Sequence, residues 1–362
     1  MRETQIDISS QDLAYNLTVF KNKIQPNTKI LANLKANAYG IGAVPVGKFL
    51  EKQGIDYFSI AYINEGIYLR KQGIKAKLLV FNPSFEHFKP LVTYQLEPEV
   101  SSLAYLKKLI AYLKQQQITG FPVHIKLDTG MHRAGIMPEE LSGLRALLQT
   151  QKNVKIASVF SHLAAAEDPD SDDFTRHQIA LFKNMTEYIS THYSGNFLKH
   201  LLNTAGVFRF PQAQFDMIRP GLGLLGYTLI EKNRHTLKPV FQLTTKINQV
   251  KHISKGESVG YNRNFTATQN TTIALLPVGY ADGINRQLTG FSVHCKGQKV
   301  PIIGTISMDT MSLDITGTAC RAGDKVILIN NHDSVYQIAK YLQTIPYEII
   351  AALSHRIPRN LI

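Results

Sequence analysis

A lysine follows an apolar stretch near the start of the chain, in the segment "LKANAYGIG" at residues 34–42. Lys35 comes directly after the β-rich run "KILANL", and Tyr39 and a Gly-Ile-Gly turn follow it. A lysine in apolar surroundings loses hydration, so its pKa falls and its neutral amine can act as a nucleophile. Such an amine forms a Schiff base with a carbonyl group. The segment therefore predicts covalent chemistry at Lys35.

Other polar residues stand where predicted strands end, although each has an ordinary explanation as a solvated cation, a core histidine or a turn. In a parallel barrel the active site forms at the carboxyl ends of the strands. The usual carbonyl partner of a lysine in amino-acid chemistry is pyridoxal phosphate. Tyr39, Thr204 and the glycines of "RPGLG" could bind its phosphate. The strand-end residues are Lys126, Asp128, His162, Asn203, Thr204 and Arg219.

The elements that must position these residues alternate regularly through the first two thirds of the chain. Short β-rich runs such as "AKLLVF", "QLEPEV" and "PVHIKLDTG" are separated by stretches with helical apolar spacing, such as "SLAYLKKLIAYLKQQQ". This rhythm predicts an α/β fold with an N-terminal (β/α)8 TIM-type barrel over residues 9–228. We expect the barrel to bind the cofactor.

The pattern changes after the barrel. Runs such as "VFQLTTKINQVKHI" and "FSVHCKGQKVPIIGTIS" lie close together and are separated by Gly, Asn and Asp turns. The first helical stretch among them is "DSVYQIAKYLQ". We therefore predict a mostly β C-terminal domain over residues 229–362, against which residues 1–8 could pack.

Composition narrows the class of protein. The chain has 362 residues, of which 44% are hydrophobic, and it has only two cysteines, which suits a reducing cytoplasm. The net charge is +13, but the basic residues are scattered, which favours an anionic small-molecule ligand over nucleic acid. We find no signal peptide or membrane-spanning run. The twelve histidines lack metal-ligand spacing, so no metal is expected.

The chain resembles the alanine racemases, which are fold-type III pyridoxal-phosphate enzymes. "KANAYGIG" is similar to their cofactor-lysine motif, and the later motifs follow in order almost to the C-terminus. These motifs are "KLDTGMHRAGI", "FSHLAAAED", "NTAG", "IRPGLGLLGY", "SVGYNRNFTA", "LPVGYADGINR", "GTISMDTMSLDI" and "YEIIAALSHRIPR". The resemblance implies a racemase that interconverts L- and D-alanine and supplies D-alanine for peptidoglycan.

The resemblance also implies a role for each matching residue. Lys35 would bind pyridoxal 5'-phosphate and serve as one catalytic base, while Tyr261 would serve as the other on the opposite face. Arg219 would face the pyridine nitrogen, and His162 would link it to Tyr261. The remaining cofactor-binding residues would be Tyr39, Asn203, Thr204, Gly221, Leu222 and Tyr347.

Substrate binding follows from the same resemblance. Arg133 and the backbone of Met308 would bind the substrate carboxylate, and Tyr280 and Asp309 would line the entrance. Lys126 matches a lysine that carries a carbamate in many family members. The alternative is an unmodified Lys126 that pairs with Asp128.

Two positions depart from the family pattern, in which histidine often stands at position 41 and cysteine at position 307. This chain has Ile41 and Ser307 there, which leaves substrate breadth open. The resemblance further implies a homodimer with shared active sites. The alternatives are a broader-specificity or serine racemase on the same fold, and, with less support, an amino-acid decarboxylase or a non-catalytic cofactor-binding protein.

Overall fold

The structure of the protein is a computed structural model that describes residues 3–149, 151–330 and 333–362. The chain forms two compact units. The barrel unit comprises residues 14–36 and 47–237, and the sheet unit comprises residues 1–13, 37–46 and 238–362. The predicted boundary between residues 228 and 229 stays a prediction.

The barrel unit contains a closed barrel of parallel strands, which confirms the predicted TIM-type fold. Its strands read as apolar runs because parallel strands in such a barrel are covered on both faces. In chain order they are β2 (Lys29–Asn33), β3 (Tyr57–Ile60), β4 (Lys77–Val80), β5 (Leu96–Val100), β6 (Phe121–Lys126), β7 (Val154–Phe160), β8 (Leu198–Asn203) and β9 (Met217–Arg219).

Helices connect these strands. Helix α6 shows why the sequence forms them, since Leu106, Leu109 and Leu113 recur at helical spacing and are buried. Ser102 caps its start by accepting a hydrogen bond from the Tyr105 N–H. The helices up to residue 224 are α1 (Ser10–Lys21), α2 (Lys35–Tyr39), α3 (Ala43–Lys52), α4 (Ile63–Lys71), α5 (Lys89–Thr93), α6 (Leu103–Gln115), α7 (Leu141–Gln149), α8 (Asp172–His192), α9 (Thr204–Arg209) and α10 (Gly221–Leu224).

The sheet unit is mostly β, as predicted. A nine-stranded sheet has the order β11-β14-β17-β16-β15-β18-β10-β1-β19, and β12 and β13 form a separate hairpin. The strands are β1 (Gln5–Ile8), β10 (Phe241–Lys246), β11 (Gln249–Ile253), β12 (Ser258–Val259), β13 (Phe265–Thr266), β14 (Thr271–Leu276), β15 (Ser292–Cys295), β16 (Gln298–Ile303), β17 (Met311–Asp314), β18 (Lys325–Ile329) and β19 (Arg359–Leu361). Helices α11 (Ser334–Tyr341) and α12 (Pro346–Ala351) complete this unit.

Strand β1 explains why the first residues belong to the sheet unit. It pairs antiparallel with β10 and parallel with β19, so it is not an edge strand. Its side chains alternate, and Ile6 and Ile8 are fully buried. Among the described residues, no helix has both the length and the apolar character needed to cross a membrane.

Candidate active site

The carboxyl ends of the barrel strands carry the predicted polar residues. Lys126, Asn203 and Arg219 are the last residues of β6, β8 and β9, and Lys35 and His162 lie within two residues of the ends of β2 and β7. The charges of Lys126 and Arg219 both lower the pKa of Lys35, and those of Lys35 and Lys126 lower the pKa of His162. The structure therefore places these predicted residues together at the carboxyl end of the barrel, and several of them are cations.

Lys35 has the environment that a nucleophilic amine requires. Burial lowers the pKa of its ammonium first, and the nearby charges of Arg133, Lys126 and Arg219 lower it further. Glu65 opposes this shift but does not outweigh it. The Lys35 Nζ lies 5.7 Å from the centre of the Phe81 ring, so one side of the amine faces an apolar surface. At a given pH, a larger fraction of the Lys35 amine is therefore neutral than in a solvated lysine.

The backbone after Lys35 is strained. Residues 36–39 are all non-glycine, yet their φ angles lie between 50° and 56°, in the left-handed region. Each such residue costs about 1–2 kcal/mol, so the surrounding structure must hold the turn. The Ala36 N–H donates to Glu65 Oε1 at 2.7 Å, and the Ala43 N–H donates to Asn37 Oδ1 at 2.8 Å. These contacts fix the position from which the Lys35 side chain starts.

Arg219 is buried and its guanidinium is held from several directions. Nη1 donates to His200 Nδ1 at 2.7 Å, and Nη2 donates to the carbonyl of Ser161 at 2.6 Å. Nη2 also lies 3.1 Å from His162 Nδ1. Because arginine can only donate, His162 must accept through Nδ1 and carry its ring proton on Nε2. Burial, followed by the charge of Arg219, holds the pKa of His162 well below its usual range, so the ring is neutral.

A hydrogen-bonded chain continues from Arg219 through the barrel interior. His200 Nε2 lies 2.7 Å from Ser158 Oγ, which lies 2.6 Å from His124 Nδ1. His124 Nε2 lies 2.8 Å from Glu97 Oε2. Because Arg219 can only donate, His200 accepts through Nδ1, carries its ring proton on Nε2 and donates it to Ser158.

Glu97 is the carboxylate at the far end of this chain of hydrogen bonds. Tyr57 donates its hydroxyl to Glu97 Oε2 at 2.6 Å. Burial alone would raise the pKa of Glu97, but the hydrogen bonds and charge around it, chiefly those of His124, lower the pKa below its ordinary value. The buried guanidinium of Arg219 thus has a buried anion at the far end of the same network.

An ion pair between Lys126 and Glu99 lies on the same two strands, β5 and β6, as Glu97 and His124. Lys126 Nζ is 3.5 Å from Glu99 Oε1, and both side chains are almost completely buried. Burial raises the pKa of Glu99 to about 7, although Lys126, Arg133 and Arg219 act against this shift. Asp128, the alternative partner considered for Lys126, instead accepts hydrogen bonds from the backbone of Gly130 and His132. Glu99 is therefore the ion-pair partner of Lys126.

Arg133 lies on the loop that follows Lys126. The Ile136 N–H donates to the carbonyl of Lys126 at 2.8 Å, and the Asp128 N–H donates to the carbonyl of Ile136 at 3.0 Å. These two bonds close the loop onto the end of β6. The Arg133 side chain is exposed, and its charge acts on Lys35 and Glu99. The loop therefore presents a cation to a ligand at the barrel end.

The predicted phosphate-binding residues of the barrel unit pack closely. Asn203 caps α9 by accepting from the Gly206 N–H at 2.9 Å. The Gly223 N–H donates to Thr204 Oγ1 at 3.1 Å, and a Cβ at Gly223 would come within 2.9 Å of that same oxygen. Only glycine allows this approach. Gly221 and Leu222, which are buried, form the first turn of α10.

The sheet unit holds the other predicted residues. The rings of Tyr39 and Tyr347 meet edge to face, with their centres 5.8 Å apart. Asp309 accepts a hydrogen bond from Arg356 at 2.7 Å, and Arg356 also lies 3.4 Å from Asp282. Asp309 thus belongs to an ion-pair group that also includes the buried Asp282.

Tyr261, Tyr280 and Met308 lie on neighbouring loops of the sheet unit. The Tyr280 N–H donates to the carbonyl of Ser307 at 3.0 Å, and Thr305 Oγ1 donates to the carbonyl of Tyr261 at 3.0 Å. All three side chains are exposed, and Tyr261 has 68% of its surface accessible. Three large, partly apolar side chains thus share an open surface.

Sequence reasoning missed Glu97, Glu99 and His200. A signal for the two glutamates was present, since "LEPEV" places carboxylates two residues apart in a strand whose residues are all buried. Side chains at that spacing share one face of a strand. Buried carboxylates need partners, so this pattern should have prompted a search for them. His200 had no distinguishing signal in the sequence.

The closed parallel barrel, with charged side chains gathered at the carboxyl ends of its strands, is the arrangement of a TIM-barrel enzyme. Family models describe the chain in two parts. The model "Alanine racemase, N-terminal domain" matches residues 8–229, and the model "Alanine racemase, C-terminal domain" matches residues 240–361. The chain belongs to the alanine racemase family, and the predicted family and enzyme class are confirmed.

Relatives and solved structures agree. An alanine racemase of Treponema denticola is 34% identical, and the match covers 100% of this chain and 99% of the relative. The structure of an alanine racemase from Clostridium difficile 630 has a TM-score of 0.93 at 31% identity, with 100% of this chain and 97% of that chain covered. One from Bartonella henselae with covalently bound pyridoxal phosphate has a TM-score of 0.88 at 27% identity, with 100% of both chains covered.

Proposed function

We propose that this chain interconverts L-alanine and D-alanine with pyridoxal 5'-phosphate as its cofactor. The observation that carries the proposal is the environment of Lys35, an amine whose pKa is lowered by burial and by three neighbouring cations. Family membership supports the substrate, since the relatives are named alanine racemases. In this proposal the enzyme works in the bacterial cytoplasm and supplies D-alanine for peptidoglycan.

The residues present fit this cofactor. Lys35 would bind its aldehyde carbon through Nζ, and Arg219 would face its pyridine nitrogen. When bound, pyridoxal phosphate draws electrons from the amino acid and so makes its Cα proton acidic. The phosphate would be held by hydroxyl and backbone N–H groups, for which we propose Tyr39, Asn203, Thr204, Gly221, Leu222 and Tyr347.

Arg219 would moderate that electron withdrawal. A guanidinium keeps its proton in a protein, so a pyridine nitrogen facing Arg219 would stay unprotonated. The carbonyl of Ser161 and the ring of His200 hold the guanidinium of Arg219 in place, which supports this role. A weaker electron sink favours prompt return of the proton to Cα over side reactions.

Inversion at Cα requires a base on each face, because the proton leaves from one side and returns to the other. We propose Lys35 and Tyr261 for these two roles. Neutral His162 carries its proton on Nε2, so it could donate a hydrogen bond to a phenolate oxygen. Arg133 and the Met308 N–H would bind the substrate carboxylate, with Tyr280 and Asp309 at the entrance.

We further propose a homodimer in which Tyr261 of one subunit completes the site of its partner. The exposure of Tyr261, Tyr280 and Met308 supports this arrangement, since aromatic side chains and methionine are enriched at protein interfaces.

The test is incubation of the purified chain and pyridoxal phosphate with L-alanine, L-serine and L-lysine in separate reactions, followed by chiral chromatography. We expect D-alanine to form until both enantiomers are equal, and Lys35→Ala to form none. If serine or lysine were racemised faster than alanine, that amino acid would be the substrate instead of alanine. Absence of any D-amino acid would contradict the proposed activity.

A further inference from the structure

Lys126 and Glu99 form a buried ion pair on neighbouring strands of the barrel. The register pairs Glu99 on β5 with His124 on β6, so Lys126 lies two residues further along the same face. Lys126 Nζ is 3.5 Å from Glu99 Oε1, and the Glu99 side chain is 3% exposed. A buried charge of either sign is costly without its partner. Each of these two residues therefore explains why the other can be buried.

The second carboxylate oxygen of Glu99, Oε2, is also part of this site. Within the residues that the structure describes, Glu99 Oε2 is buried and accepts no hydrogen bond. The positive charges of Arg133 and Arg219 act on the same carboxyl group. The site therefore already contains one carboxylate with unused acceptor capacity, surrounded by cations.

A carbamate on Lys126, which resemblance to the family predicts, would compete with this arrangement. Its formation requires the neutral amine, which bonds through Nζ to the carbon of carbon dioxide and releases a proton. The product is an anion attached to Nζ, beside the carboxyl group of Glu99. An attractive pair of opposite charges would become a repulsive pair of like charges at short distance.

We infer that Glu99 takes the place of the carbamate in this protein, and that Lys126 stays unmodified because its Nζ is paired with Glu99. Glu99 then supplies the negative charge near Arg133, whose loop is closed onto the backbone of Lys126. Glu99 acts as a positioning residue, because it works through Lys126 and Arg133. The inference rests on the proposed function only for the role of Arg133 in substrate binding.

The test uses ¹³C NMR of the full-length protein at about pH 8, above the raised pKa of Glu99, so that its carboxyl group is ionised. The protein is equilibrated with ¹³C-labelled bicarbonate, which requires no turnover. Wild type should show no carbamate signal. Glu99→Ala removes the partner of Lys126, so the neutral amine becomes available and a carbamate signal should appear. The double variant Glu99→Ala/Lys126→Ala should lose that signal, which assigns it to Lys126.

Racemase assays with and without added bicarbonate give a second readout. Wild type should be insensitive to bicarbonate, whereas Glu99→Ala should be activated by it, which a merely structural role would not produce. A carbamate signal in wild type that Lys126→Ala removes would overturn the inference. A signal in neither wild type nor Glu99→Ala would show that Glu99 does not prevent modification. An inactive wild-type chain would instead refute the proposed function and leave the NMR result valid.

Discussion

Arg219 Nη1 donates a hydrogen bond to His200 Nδ1 across 2.7 Å. His200 must therefore carry its ring proton on Nε2, and it can donate that proton only toward Ser158. Burial and the charge of Arg219 hold the pKa of His200 well below its usual range, so the ring stays neutral. Hydrogen bonds through His200, Ser158 and His124 thus link Arg219 to the buried carboxylate of Glu97.

Glu97 should stabilise the protein through its charge. Glu97→Gln keeps an acceptor for Tyr57 and His124 but removes the anion, so we expect a loss of about 1–2 kcal/mol in the free energy of unfolding. Glu97→Ala leaves both donors without an acceptor and should cost about 3–5 kcal/mol. Urea unfolding followed by circular dichroism measures both losses. The matched control is Glu139→Gln, since Glu139 is exposed. Equal stability of wild type and Glu97→Gln would mean that Glu97 is not ionised.

Glu99 should make the stability depend on pH in the opposite sense from an ordinary acid. Its pKa is about 7 in the folded protein and 4.5 ordinarily, because burial outweighs Lys126, Arg133 and Arg219. The buried Tyr105 also faces this carboxyl group. Between these two pH values the folded chain retains a proton that the unfolded chain has released. The free energy of unfolding therefore falls as the pH rises through this window, by at most about 3 kcal/mol.

Unfolding experiments between pH 4.5 and 7 compare wild type with Glu99→Gln, which cannot ionise. The variant should lose the part of the slope that Glu99 contributes. Glu97 does not interfere in this window, because its lowered pKa places its own stability loss at more acid pH. Identical slopes for wild type and variant would show that Glu99 is ionised throughout.

The sequence predicted the barrel because apolar runs and helical spacing report burial directly. It also indicated which polar residues lie at the strand ends, because each of them directly follows an apolar run. The left-handed turn after Lys35 could not be predicted, because Ala36 and Ala38 prefer ordinary helical angles and only tertiary contacts impose the strain. Propensity is a local property, whereas the hydrogen bond from Ala36 to Glu65 joins residues far apart in the chain.

The ion pair between Lys126 and Glu99 was missed for a similar reason. The sequence placed Lys126 near Asp128, which is close along the chain, but strand pairing brings Glu99 nearer in space. Asp128 is occupied by the loop backbone. Which side chains meet across neighbouring strands depends on the register of the strands, and the register could not be predicted from the sequence.

Lys35 should be the residue that binds the cofactor covalently. Borohydride reduction of the protein loaded with pyridoxal phosphate, followed by peptide mapping, should place the pyridoxyl group on Lys35. Its lowered pKa gives it an advantage over solvated lysines. Lys126 is the matched control, because its pKa is also lowered by burial but Glu99 pairs with it. A pyridoxyl group on Lys126 rather than Lys35 would refute the assignment of Lys35 as the cofactor lysine.

Tyr261 should act on one enantiomer only. Tyr261→Phe removes a hydroxyl from an exposed side chain, so folding should be unaffected. We expect the variant to exchange solvent deuterium into D-alanine much faster than into L-alanine, because family resemblance assigns tyrosine to the L face and lysine to the D face. Mass spectrometry of each recovered enantiomer measures the exchange. Equal slowing for both enantiomers would indicate a structural role.

The last prediction concerns the shared site. Lys35 belongs to the barrel unit and Tyr261 to the sheet unit. If each site takes Lys35 from one subunit and Tyr261 from its partner, a dimer of Lys35→Ala with Tyr261→Ala has one site with both lesions and one with none. Random pairing makes about half of the dimers mixed, and each mixed dimer has one intact site out of two. About a quarter of wild-type activity should therefore return.

The experiment co-expresses the two variants with different affinity tags and purifies the mixed dimer by successive use of both tags. Purified in this way, the mixed dimer should have about half of wild-type activity, because every molecule then keeps one intact site. Each parent alone should be nearly inactive. A control dimer that combines tagged and untagged Lys35→Ala subunits should stay inactive, which excludes contamination. A mixed dimer as inactive as its parents would place Lys35 and Tyr261 in the same subunit's site, since one subunit would then lack the lysine and the other the tyrosine.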